Sequence, residues 1–445
     1  MNFTATDLTY LKNSKAIHYI LGTLQKNGFL SYIAGGAVRD MVLQRLPNDC
    51  DILTNASMDK INSLFSDQKI TKAGKTFPVY IVNGIEVSSS RGDKDIALFL
   101  ESDLGKRDFT INAMAYDPIA KEIIDPFNGK NDLKNSIIKF TNNPEKRIME
   151  DPVRMVRACR FAAMINGDIS QASLEAILAC KALLDSAVAK ERIGHEIIKA
   201  MALEKPSLFF KALKQTELLS KIFPSLDRCY GFDGGPHHGE TLFEHCMLVG
   251  DAISPKFPVL RLAGFLHDVG KFDAAITKNN KLTFPGHEKY TKNVVNDLTK
   301  LKFSIKDISY IKSLIKSHMR PLAPETTPKA ARKLLAMLDS HNLDYKDFMR
   351  MRIADKKGNL FKNPYTLSEI KIRLKKLFVE MSDQSSFNIN MLRLKGDDIA
   401  GILDIPPGPE IGRIKQILFE KVLDDPELNN YDDLKKLCLS LKTEK

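Results

Sequence analysis

Two aspartates separated by a single residue, Asp49 and Asp51 in the run DCD, are the first side chains whose type and spacing suggest chemistry. On a β-strand, residues two apart point to the same side, so both carboxylates would face one way while Cys50 turns into the core. Paired carboxylates repel each other unless a cation lies between them, and Mg²⁺ prefers such oxygen ligands. The pair therefore predicts a Mg²⁺ site for in-line phosphoryl or nucleotidyl transfer.

A glycine pair and an arginine lie upstream of these aspartates. Gly35 and Gly36 open the helical pattern AVRDMVLQRL, which contains Arg39. Backbone N–H groups at a helix start, together with a guanidinium, are predicted to hold a triphosphate. Glu86, in the run NGIEVSSSR, is the candidate third catalytic carboxylate on an adjacent strand. An isolated D-x-D motif is more often a solvated strand end, but its combination with the upstream G-G-x-V-R-D motif favours a functional site.

One acidic and three basic side chains recur every three residues in the run EDPVRMVRACRF. They are Asp151, Arg154, Arg157 and Arg160. In a helix this spacing keeps neighbours adjacent while the row winds slowly around the axis. Out of context such a run is more often a salt-bridged surface stripe than a binding site, so its meaning depends on the motifs around it.

Histidines concentrate in one part of the chain, with six of the nine between residues 237 and 318. The motifs that contain them or a nearby aspartate are FEHCMLVGD, GFLHDVGK, FPGHEKY, IKSHM and RIADKKGN. A lone histidine on a helix is usually a satisfied core residue, but this local enrichment predicts a chemical site. Imidazole and carboxylate groups together suit a divalent transition metal, or Mg²⁺, that holds a water for attack on phosphorus.

The elements that must position these groups differ between the two parts of the chain. Residues 30–125 alternate short β-rich runs with helical patterns, whereas from about residue 130 onward only helical periodicity continues. The predicted fold class is α+β, with a mixed sheet and helices in a head that is followed by an all-α body. The length of 445 residues and the turn-rich linker YGFDGGPHHGE indicate several domains. We predict a head at 1–140, a helical domain at 141–235, a histidine-rich domain at 236–358 and a helical tail at 359–445.

Composition limits the classes of protein that fit. The apolar content of 43% and charged content of 27% are those of an ordinary globular protein, and no apolar stretch is long enough to span a bilayer. Residues 1–24 lack a signal-peptide pattern and are expected to form the first helix, so we expect a cytoplasmic protein. Six scattered cysteines favour reduced thiols over disulfides or a zinc ribbon. A net charge of +11 indicates a polyanionic partner, although a basic surface without a special ligand explains the charge equally well.

The first half of the chain resembles the class II tRNA nucleotidyltransferases and the related bacterial poly(A) polymerases. The matching segments occur in family order and are GGAVRD, DCD, KRDFTINAMAYDP, IIDPFNGKNDL, EDPVRMVRACRF and ERIGHEI. The resemblance implies a polymerase-β-like head in which Asp49 and Asp51 bind Mg²⁺. It also implies that Gly36 and Arg39 contact the nucleotide and that Arg107 lies beside the triphosphate.

The same resemblance assigns Asp151 and Arg154 to the base of the incoming nucleotide. An accepting carboxylate and a donating guanidinium match the amino group and ring nitrogen of cytosine or adenine, whereas uracil and guanine present the reverse order. Arg157 and Arg160 are then placed for phosphates of the nucleotide or the RNA. The helical body would hold the tRNA 3′ acceptor end by shape and phosphate contacts. The implied reaction adds C residues from CTP to the tRNA 3′ end without a nucleic-acid template and releases pyrophosphate. In enzymes that build the full CCA end, it also adds A from ATP.

One segment departs from relatives that build the whole CCA end. In those enzymes a flexible loop follows the strand that ends near Arg91, whereas only fifteen residues, 92–106, fill this position here. Such shortening is typical of enzymes that add two cytidines and leave the final adenosine to a separate A-adding enzyme. We therefore predict CC addition.

The second half resembles the HD superfamily of metal-dependent phosphohydrolases, whose pattern is a histidine, a His-Asp pair and a distal aspartate. The matching residues are His245, His267, Asp268 and Asp355, and His287 and His318 stand where some members bind a second metal. The resemblance implies a divalent metal of unspecified identity and phosphatase, 2′-nucleotidase or 2′,3′-cyclic phosphodiesterase activity. The tail resembles the C-terminal region of tRNA nucleotidyltransferases that carry an HD domain, which predicts a tRNA contact.

Three alternatives are weighed against this interpretation. A poly(A) polymerase shares the head motifs, but that group lacks the histidine-rich domain. An HD phosphohydrolase whose head merely binds RNA would leave Asp49 and Asp51 without a purpose. A purely structural RNA-binding role would leave both metal-type groups of residues unexplained.

Overall fold

The structure is a computed structural model that describes residues 13–47, 49–73, 78–89, 96–236, 238–323, 325–381 and 388–443. Residues 1–12 of the predicted first helix and residues 92–95 of the short segment lie outside these ranges. The chain divides into two compact units, Met1–Lys221 and Ile222–Lys445. The division into four domains stays a prediction.

A seven-stranded sheet forms the centre of the first unit. Its strands are β1 (Ser31–Ala34), β2 (Asp51–Thr54), β3 (Ile70–Ala73), β4 (Val79–Val82), β5 (Ile85–Ser89), β6 (Ala115–Asp117) and β7 (Glu122–Ile124). They lie in the order β3-β4-β5-β2-β1-β6-β7, with β2 and β5 parallel and the other neighbours antiparallel. The mixed sheet expected in the head is confirmed.

The register of this sheet brings three chemically suggestive positions side by side. Ala34, the last residue of β1, pairs with Asp51, the first residue of β2. Asp51 in turn pairs with Glu86 of β5. Directly paired residues of neighbouring strands point to the same face of a sheet. The glycine turn that follows β1 therefore begins beside the two carboxylates.

Helices precede, connect and follow these strands. In the first unit they are α1 (Ser14–Lys26), α2 (Gly36–Val42), α3 (Met58–Leu64), α4 (Ile96–Leu104), α5 (Gly129–Lys134), α6 (Pro144–Glu150), α7 (Val153–Ile165), α8 (Gln171–Cys180), α9 (Leu183–Ser186), α10 (Lys190–Met201) and α11 (Ser207–Gln215). α7 packs against both α10 and α11. Val156, Cys159 and Ala163 recur at helical spacing among its buried residues, so burial of an apolar face holds α7 in place.

α4 occupies most of the short segment 92–106. Phe99 and Leu104 of this helix are buried in an apolar cluster with Leu53 of β2 and Ala113. Burial of a side chain of this size contributes roughly 1.5–3 kcal/mol. The described part of the segment is therefore a helix anchored in the core of the head.

Two small sheets interrupt the body, which the sequence predicted to be all-α. Their strands are β8 (Ile137–Ile138), β9 (Asp168–Ile169), β10 (Ile276–Lys278) and β11 (Lys281–Thr283). β8 and β9 pair in parallel, and β10 and β11 form an antiparallel hairpin closed by Asn279 and Asn280, which both have positive φ. The predicted helical body is confirmed apart from these four strands, which the sequence did not reveal because strands of two or three residues are too short to show a period of two.

The second unit is built mainly of helices. From the unit boundary onward they are α12 (Leu219–Ile222), α13 (Pro224–Asp227), α14 (Leu242–Ala252), α15 (Pro258–Leu266), α16 (Lys271–Ala274), α17 (Lys292–Lys300), α18 (Ile305–Ser317), α19 (Pro328–Ser340), α20 (Tyr345–Lys357), α21 (Leu367–Met381), α22 (Gly396–Leu403), α23 (Pro409–Asp424) and α24 (Tyr431–Thr443). Within the residues that the structure describes, no helix combines the length and apolar character needed to cross a lipid bilayer.

Close helix packing positions the histidines of this unit. α14, α15, α18 and α20 pack against one another. A Cβ on Gly264 of α15 would lie 2.6 Å from Ile253 and 3.3 Å from the Cα of Gly250 in α14, so the two glycines let these helices approach closely. This approach sets the distance between His245, in the first turns of α14, and His267, which directly follows α15.

Candidate active sites

Carboxylates at the centre of the sheet form the first candidate site. Asp51 begins β2 and Glu86 lies beside it on β5, whereas Asp49 precedes the strand and is exposed. Burial raises the pKa of the Asp51 carboxyl, the charge of Arg107 lowers it and that of Asp49 raises it. Burial also raises the pKa of Glu86, and the neighbouring Asp51 raises it further against the opposing effect of Arg107. These partly buried carboxylates repel each other, and a Mg²⁺ ion bound by their oxygens would relieve the repulsion.

Gly35 allows a guanidinium to approach these carboxylates. Its φ is +77°, and a Cβ at this position would lie 2.2 Å from Nη1 of Arg107. Any other residue type would be strained there and would displace the arginine. The glycine motif thus serves the site by making room for a positive charge.

A cavity of about 610 Å³ joins these groups to α7. Its walls contain Asp51 and the predicted nucleotide-binding residues Gly36, Arg39, Arg107, Asp151, Arg154 and Arg157. Asn112 also lines it and accepts a hydrogen bond of 2.7 Å from Nη1 of Arg39. The volume lies in the range of small-molecule sites, so carboxylates, cations and the base-reading candidates share a pocket of suitable size for one nucleotide.

Asp151 and Arg154 face this cavity from the junction of α6 and α7. The Asp151 carboxylate accepts hydrogen bonds of 2.8 and 2.7 Å from Nη1 and Nη2 of Arg192. Arg154 donates from Nη1 to the Glu150 carboxylate at 3.1 Å and from Nη2 to the carbonyl of Lys106 at 3.3 Å. A guanidinium has five N–H donors and a carboxylate about four acceptor positions, so both groups keep capacity for a base.

Arg157 and Arg160 are paired with acidic side chains. Arg157 donates from Nε to Asp108 at 2.9 Å and lies 3.4 Å from Glu196, yet it still lines the cavity. Arg160 is buried and donates from Nε to Glu196 at 2.5 Å. Arg160 is not among the described residues that line the cavity. The structure therefore places Arg160 in a buried ion pair with Glu196, and the phosphate contact predicted for Arg160 stays a prediction.

The four predicted ligands of the histidine-rich domain converge in the second unit. Nε2 of His245 lies 3.4 Å from carboxylate oxygens of both Asp268 and Asp355. Nε2 of His267 lies 3.4 Å from Asp268 and 3.7 Å from Asp355. Both Nε2 atoms are buried and make no hydrogen bond. Buried, unpartnered imidazole nitrogens that face two carboxylates fit the ligand set of a divalent metal.

Two more histidines meet the other oxygen of Asp268. Nε2 of His287 lies 3.0 Å and Nε2 of His318 lies 3.3 Å from Oδ1, whereas His245 and His267 face Oδ2. The Nε2 atoms of His287 and His318 are 3.3 Å apart. Asp268 thus presents one oxygen to each pair of histidines, an arrangement that fits a carboxylate bridging two metal ions.

The other ring nitrogen of each histidine is anchored by an oxygen. The Nδ1 partners are the Glu240 carboxylate for His245 (3.0 Å), the Gly264 carbonyl for His267 (2.8 Å), the Phe284 carbonyl for His287 (3.1 Å) and the Ile315 carbonyl for His318 (2.6 Å). Because these oxygens accept, each Nδ1 carries the proton and each Nε2 keeps its lone pair. This is the tautomer that a metal ligand requires.

A cavity of about 470 Å³ adjoins the histidines. Its polar side contains Asp268, Asp355, His287 and His318, and its apolar side contains Pro236, Leu282, Phe284, Pro285 and Met319. Lys271 and His238 also line it. Burial and the neighbouring Lys271 ammonium lower the pKa of His238 to about 4, so its imidazole is neutral at pH 7.

Family models match the sequence in three successive regions. They are a poly A polymerase head domain at residues 31–139, a probable RNA- and SrmB-binding site of polymerase A at 168–230 and an HD domain at 242–346. A CC-adding tRNA nucleotidyltransferase of Halalkalibacterium halodurans is 42% identical over 185 residues, which cover 41% of this chain and 47% of that protein. The poly(A) polymerase I of Salmonella typhimurium is 31% identical over 240 residues, which cover 48% and 51%. Successive regions of the chain thus match the head and RNA-binding regions of poly(A) polymerases and an HD domain. The chain spans about half the length of these two relatives.

The fold also matches a solved structure over nearly the whole length of the chain. The Bacillus stearothermophilus CCA-adding enzyme in complex with CTP aligns with 97% of this chain and 98% of its own, with a TM-score of 0.70 and 21% sequence identity. The match confirms the predicted fold class, a mixed sheet in the head followed by a helical body that contains an HD domain.

Sequence reasoning missed several residues that complete the two candidate sites. In the first site they are Asp108, Asn112, Arg192, His195, Glu196 and Lys199, which all line the cavity. In the HD site they are His238 and Glu240. The motifs KRDFTINAMAYDP, ERIGHEI and YGFDGGPHHGE contained all but one of them, so the signal was present at the level of the motif but not of the single residue.

Proposed function

We propose that the first unit is a tRNA nucleotidyltransferase that adds cytidines from CTP to tRNA 3′ ends without a nucleic-acid template. The observation that carries this proposal is the single cavity that contains Asp51, beside Glu86, together with Asp151 and Arg154. The H. halodurans relative is named a CC-adding tRNA nucleotidyltransferase, which supports the same reaction.

The carboxylates and arginines of the cavity have separate tasks in this proposal. Asp49, Asp51 and Glu86 would hold Mg²⁺, which when bound polarises the phosphoryl group and neutralises charge on the departing pyrophosphate. Arg39 and Arg107 bring positive charge to the same cavity and bind the triphosphate. The three carboxylates thus bind the cation, and the two guanidinium groups orient the nucleotide.

Base selection rests on Asp151 and Arg154. The N4 amino group of cytosine donates to the carboxylate, and N3 accepts from the guanidinium. Uracil would turn a carbonyl toward Asp151 and an N–H toward Arg154, which leaves both charges unpaired at a cost of about 1–3 kcal/mol each. Arg192 and Glu150 hold the two side chains in place, so the selecting pair is oriented before the base arrives.

The restriction to two cytidines rests on the segment 92–106. α4 anchors this segment in the core, and the carbonyl of Lys106 at its end accepts a hydrogen bond from Arg154. Because residues 96–106 of this segment are tied to both the core and the base-reading arginine, they have little freedom to reshape the pocket for adenine. A separate A-adding enzyme is then the expected partner.

Sequencing of extended tRNA ends tests this proposal. Purified protein is incubated with Mg²⁺ and tRNA that ends at the discriminator base, with CTP alone, ATP alone or both. We expect two cytidines and no adenosine, and we expect Asp51→Asn to lower the rate of addition by about 100- to 1,000-fold. The matched control is Asp59→Asn, which removes an exposed carboxylate from the first turn of α3.

The possible outcomes separate the alternatives. Efficient terminal adenylation after CC would reject the CC restriction and leave nucleotidyl transfer standing. Long adenosine tails with ATP alone would favour a poly(A) polymerase. Full activity of the Asp51→Asn protein would reject the assignment of the carboxylate site.

We also propose that the HD domain is a metal-dependent phosphohydrolase. The unpartnered Nε2 atoms of His245 and His267 and the two-sided Asp268 carboxylate favour it. The ligands of one metal would be His245, His267, Asp268 and Asp355, and His287 and His318 would bind a second through Asp268. A metal held by these residues would supply an activated water for attack on phosphorus. Terminal 2′-phosphates and 2′,3′-cyclic phosphates of RNA are the proposed substrates.

Metal content and hydrolysis test this second proposal separately. We expect mass spectrometry to find a transition metal in the purified protein and Asp268→Asn to lose it. We expect the variant also to lose hydrolysis of bis(p-nitrophenyl) phosphate and nucleoside 2′,3′-cyclic phosphates. Asp339→Asn, which changes an exposed carboxylate of α19, is the control. Retention of both metal and hydrolysis by Asp268→Asn would reject the proposal.

A further inference from the structure

Two residues outside the proposed ligand set connect a metal ligand to a buried lysine. The Glu240 side chain is nearly buried, and its Oε1 lies 3.0 Å from Nδ1 of His245 and 2.8 Å from Nδ1 of His238. The backbone N–H groups of Gly239 and Leu360 donate to its Oε2 at 3.0 and 3.2 Å. The carboxylate is therefore held by donors on both oxygens and cannot turn away from either imidazole.

The second ring nitrogen of His238 faces a cation. Its Nε2 lies 3.0 Å from Nζ of Lys271. An ammonium group donates hydrogen bonds but has no lone pair to accept one, so Nε2 must be the acceptor. The proton of the neutral ring is then on Nδ1 and is donated to Glu240. His238 is thus hydrogen-bonded to both Glu240 and Lys271, and it holds the lysine at a fixed distance from the carboxylate.

Lys271 also contacts Asp268, a proposed metal ligand. Its Nζ lies 2.7 Å from Oδ2 of Asp268, the oxygen that also faces His245. The side chain is 8% exposed, so the ammonium is held in place and does not extend into solvent. Lysine has three N–H donors, of which Asp268 and His238 take two. Because Lys271 lines the cavity beside the histidines, the third donor is available to an oxygen bound there.

We propose that Lys271 binds an oxygen of the phosphoryl group that occupies this cavity, and that Glu240 and His238 are the positioning residues that hold Lys271 there. The inference rests on the proposed hydrolase function and names the charged contact of its substrate. One Glu240 oxygen orients both the ligand His245 and, through His238, the anion-binding lysine. The apolar wall that contains Phe284 leaves room for the organic part of a phosphate ester.

Binding of inorganic phosphate tests the inference without relying on turnover. Isothermal titration calorimetry measures phosphate affinity of the full-length protein loaded with Mn²⁺, and mass spectrometry measures its Mn²⁺ content. We expect Lys271→Met to weaken phosphate binding by about 10- to 100-fold while Mn²⁺ content changes by less than about 2-fold. Lys281→Met, which removes the same charge from an exposed position of β11, should bind phosphate as the wild type does.

The positioning residues have a different signature. His238→Ala should weaken phosphate binding by about 3- to 10-fold, and His238→Gln should restore most of it because the amide oxygen can accept from Lys271. Glu240→Gln should weaken both Mn²⁺ and phosphate binding, the former by about 10- to 100-fold. A purely structural role for His238 would not be rescued by glutamine.

Cytidine addition by each variant serves as the control for correct folding of the chain. The inference is overturned if the Mn²⁺-loaded wild type binds no phosphate, or if both Lys271→Met and His238→Ala bind it as tightly as the wild type. Hydrolysis of bis(p-nitrophenyl) phosphate is measured in parallel. Phosphate binding that depends on Lys271 without any hydrolysis would support the anion contact and reject the hydrolase function, so the two failures are distinguishable.

Discussion

The Asp108 carboxylate is nearly buried and accepts hydrogen bonds from two side chains. Nε of Arg157 donates at 2.9 Å and Nδ2 of Asn112 at 3.0 Å. Burial alone raises the pKa of Asp108, but the charge of Arg157 and these hydrogen bonds outweigh burial and bring the pKa below its usual range. Arg157 also contacts Glu196, which pairs with Arg160. Alternating charges thus connect the head to α7 and α10.

Removing the Asp108 charge should destabilise the protein in a way that depends on pH. Asp108→Asn leaves Arg157 without its main partner, and we expect the free energy of unfolding at pH 7 to fall by about 2–4 kcal/mol. The folded-state pKa lies below the unfolded value of roughly 3.9, so the stabilisation is complete above about pH 4 and is lost as the pH falls through the folded-state pKa. Calorimetry of both proteins from pH 3 to 7 measures this difference.

The control for this prediction is Asp67→Asn, which changes an exposed carboxylate of the same unit. An Asp108→Asn protein as stable as the wild type at pH 7 would contradict it. So would a difference between the two proteins that grows as the pH falls from 4 to 3.

Single residues also mark how far sequence reasoning could reach. Asp51 and Glu86 could be expected side by side because each lies in a recognisable strand run, and their direct pairing agrees with that expectation. The partner of Arg160 could not be predicted, because Glu196 lies 36 residues away on another helix. Regular spacing shows that three arginines share a helix but not which of them meets an acid.

At the scale of elements, the shortest strands impose the tightest packing. Gly167 immediately precedes β9, and a Cβ at this position would lie 1.9 Å from the carbonyl oxygen of Ser136, which precedes β8. That oxygen also accepts a hydrogen bond of 2.9 Å from the N–H of Asp168. The nearest atoms are the backbone oxygen and carbon of Ser136, so no flexible side-chain end can move aside to relieve the clash. The β8–β9 pair therefore requires glycine because of space alone.

Alanine at this position should be costly. We expect Gly167→Ala to lower the free energy of unfolding by about 1–3 kcal/mol, because the two strands must separate to admit a methyl group. Gly22→Ala is the matched control, since Gly22 lies within α1 with no atom within 4 Å of the added Cβ. The control should be neutral or stabilising by up to about 1 kcal/mol. Equal Tm values for the two variants in thermal unfolding would contradict the steric argument.

Elements differ in how well the sequence predicts them. α14 begins at a capping box in which Thr241 and Glu244 exchange hydrogen bonds, and the T-x-x-E pattern with an apolar run after it is visible in the sequence. The β8–β9 pair is not visible in the sequence, because each strand has only two residues and the two strands lie far apart along the chain. Local periodicity therefore predicts the helical body but not the small sheets within it.

At the scale of the whole molecule, each proposed chemistry lies within one compact unit. Asp51, Glu86 and the nucleotide cavity belong to Met1–Lys221, and the HD ligands and their cavity belong to Ile222–Lys445. A ligand that binds only the folded form stabilises the part of the protein that holds it by an amount that grows with the logarithm of ligand concentration. The two sites should therefore respond to different ligands.

Thermal unfolding of the full-length protein can separate these responses. At a concentration about 100 times its Kd, each ligand should stabilise its unit by roughly 2.7 kcal/mol, or about 5–10 °C in Tm. Mn²⁺ with phosphate should lose this effect in Asp268→Asn and keep it in Asp51→Asn. CTP with Mg²⁺ should show the reverse pattern, because the carboxylates of the head hold the cation that accompanies the nucleotide. If the Tm shift caused by Mn²⁺ and phosphate survives Asp268→Asn, the proposed metal binding at the HD site is rejected. If the Tm shift caused by CTP and Mg²⁺ survives Asp51→Asn, the proposed cation binding at the sheet is rejected. Loss of both shifts in both variants would mean that neither site is confined to its own unit.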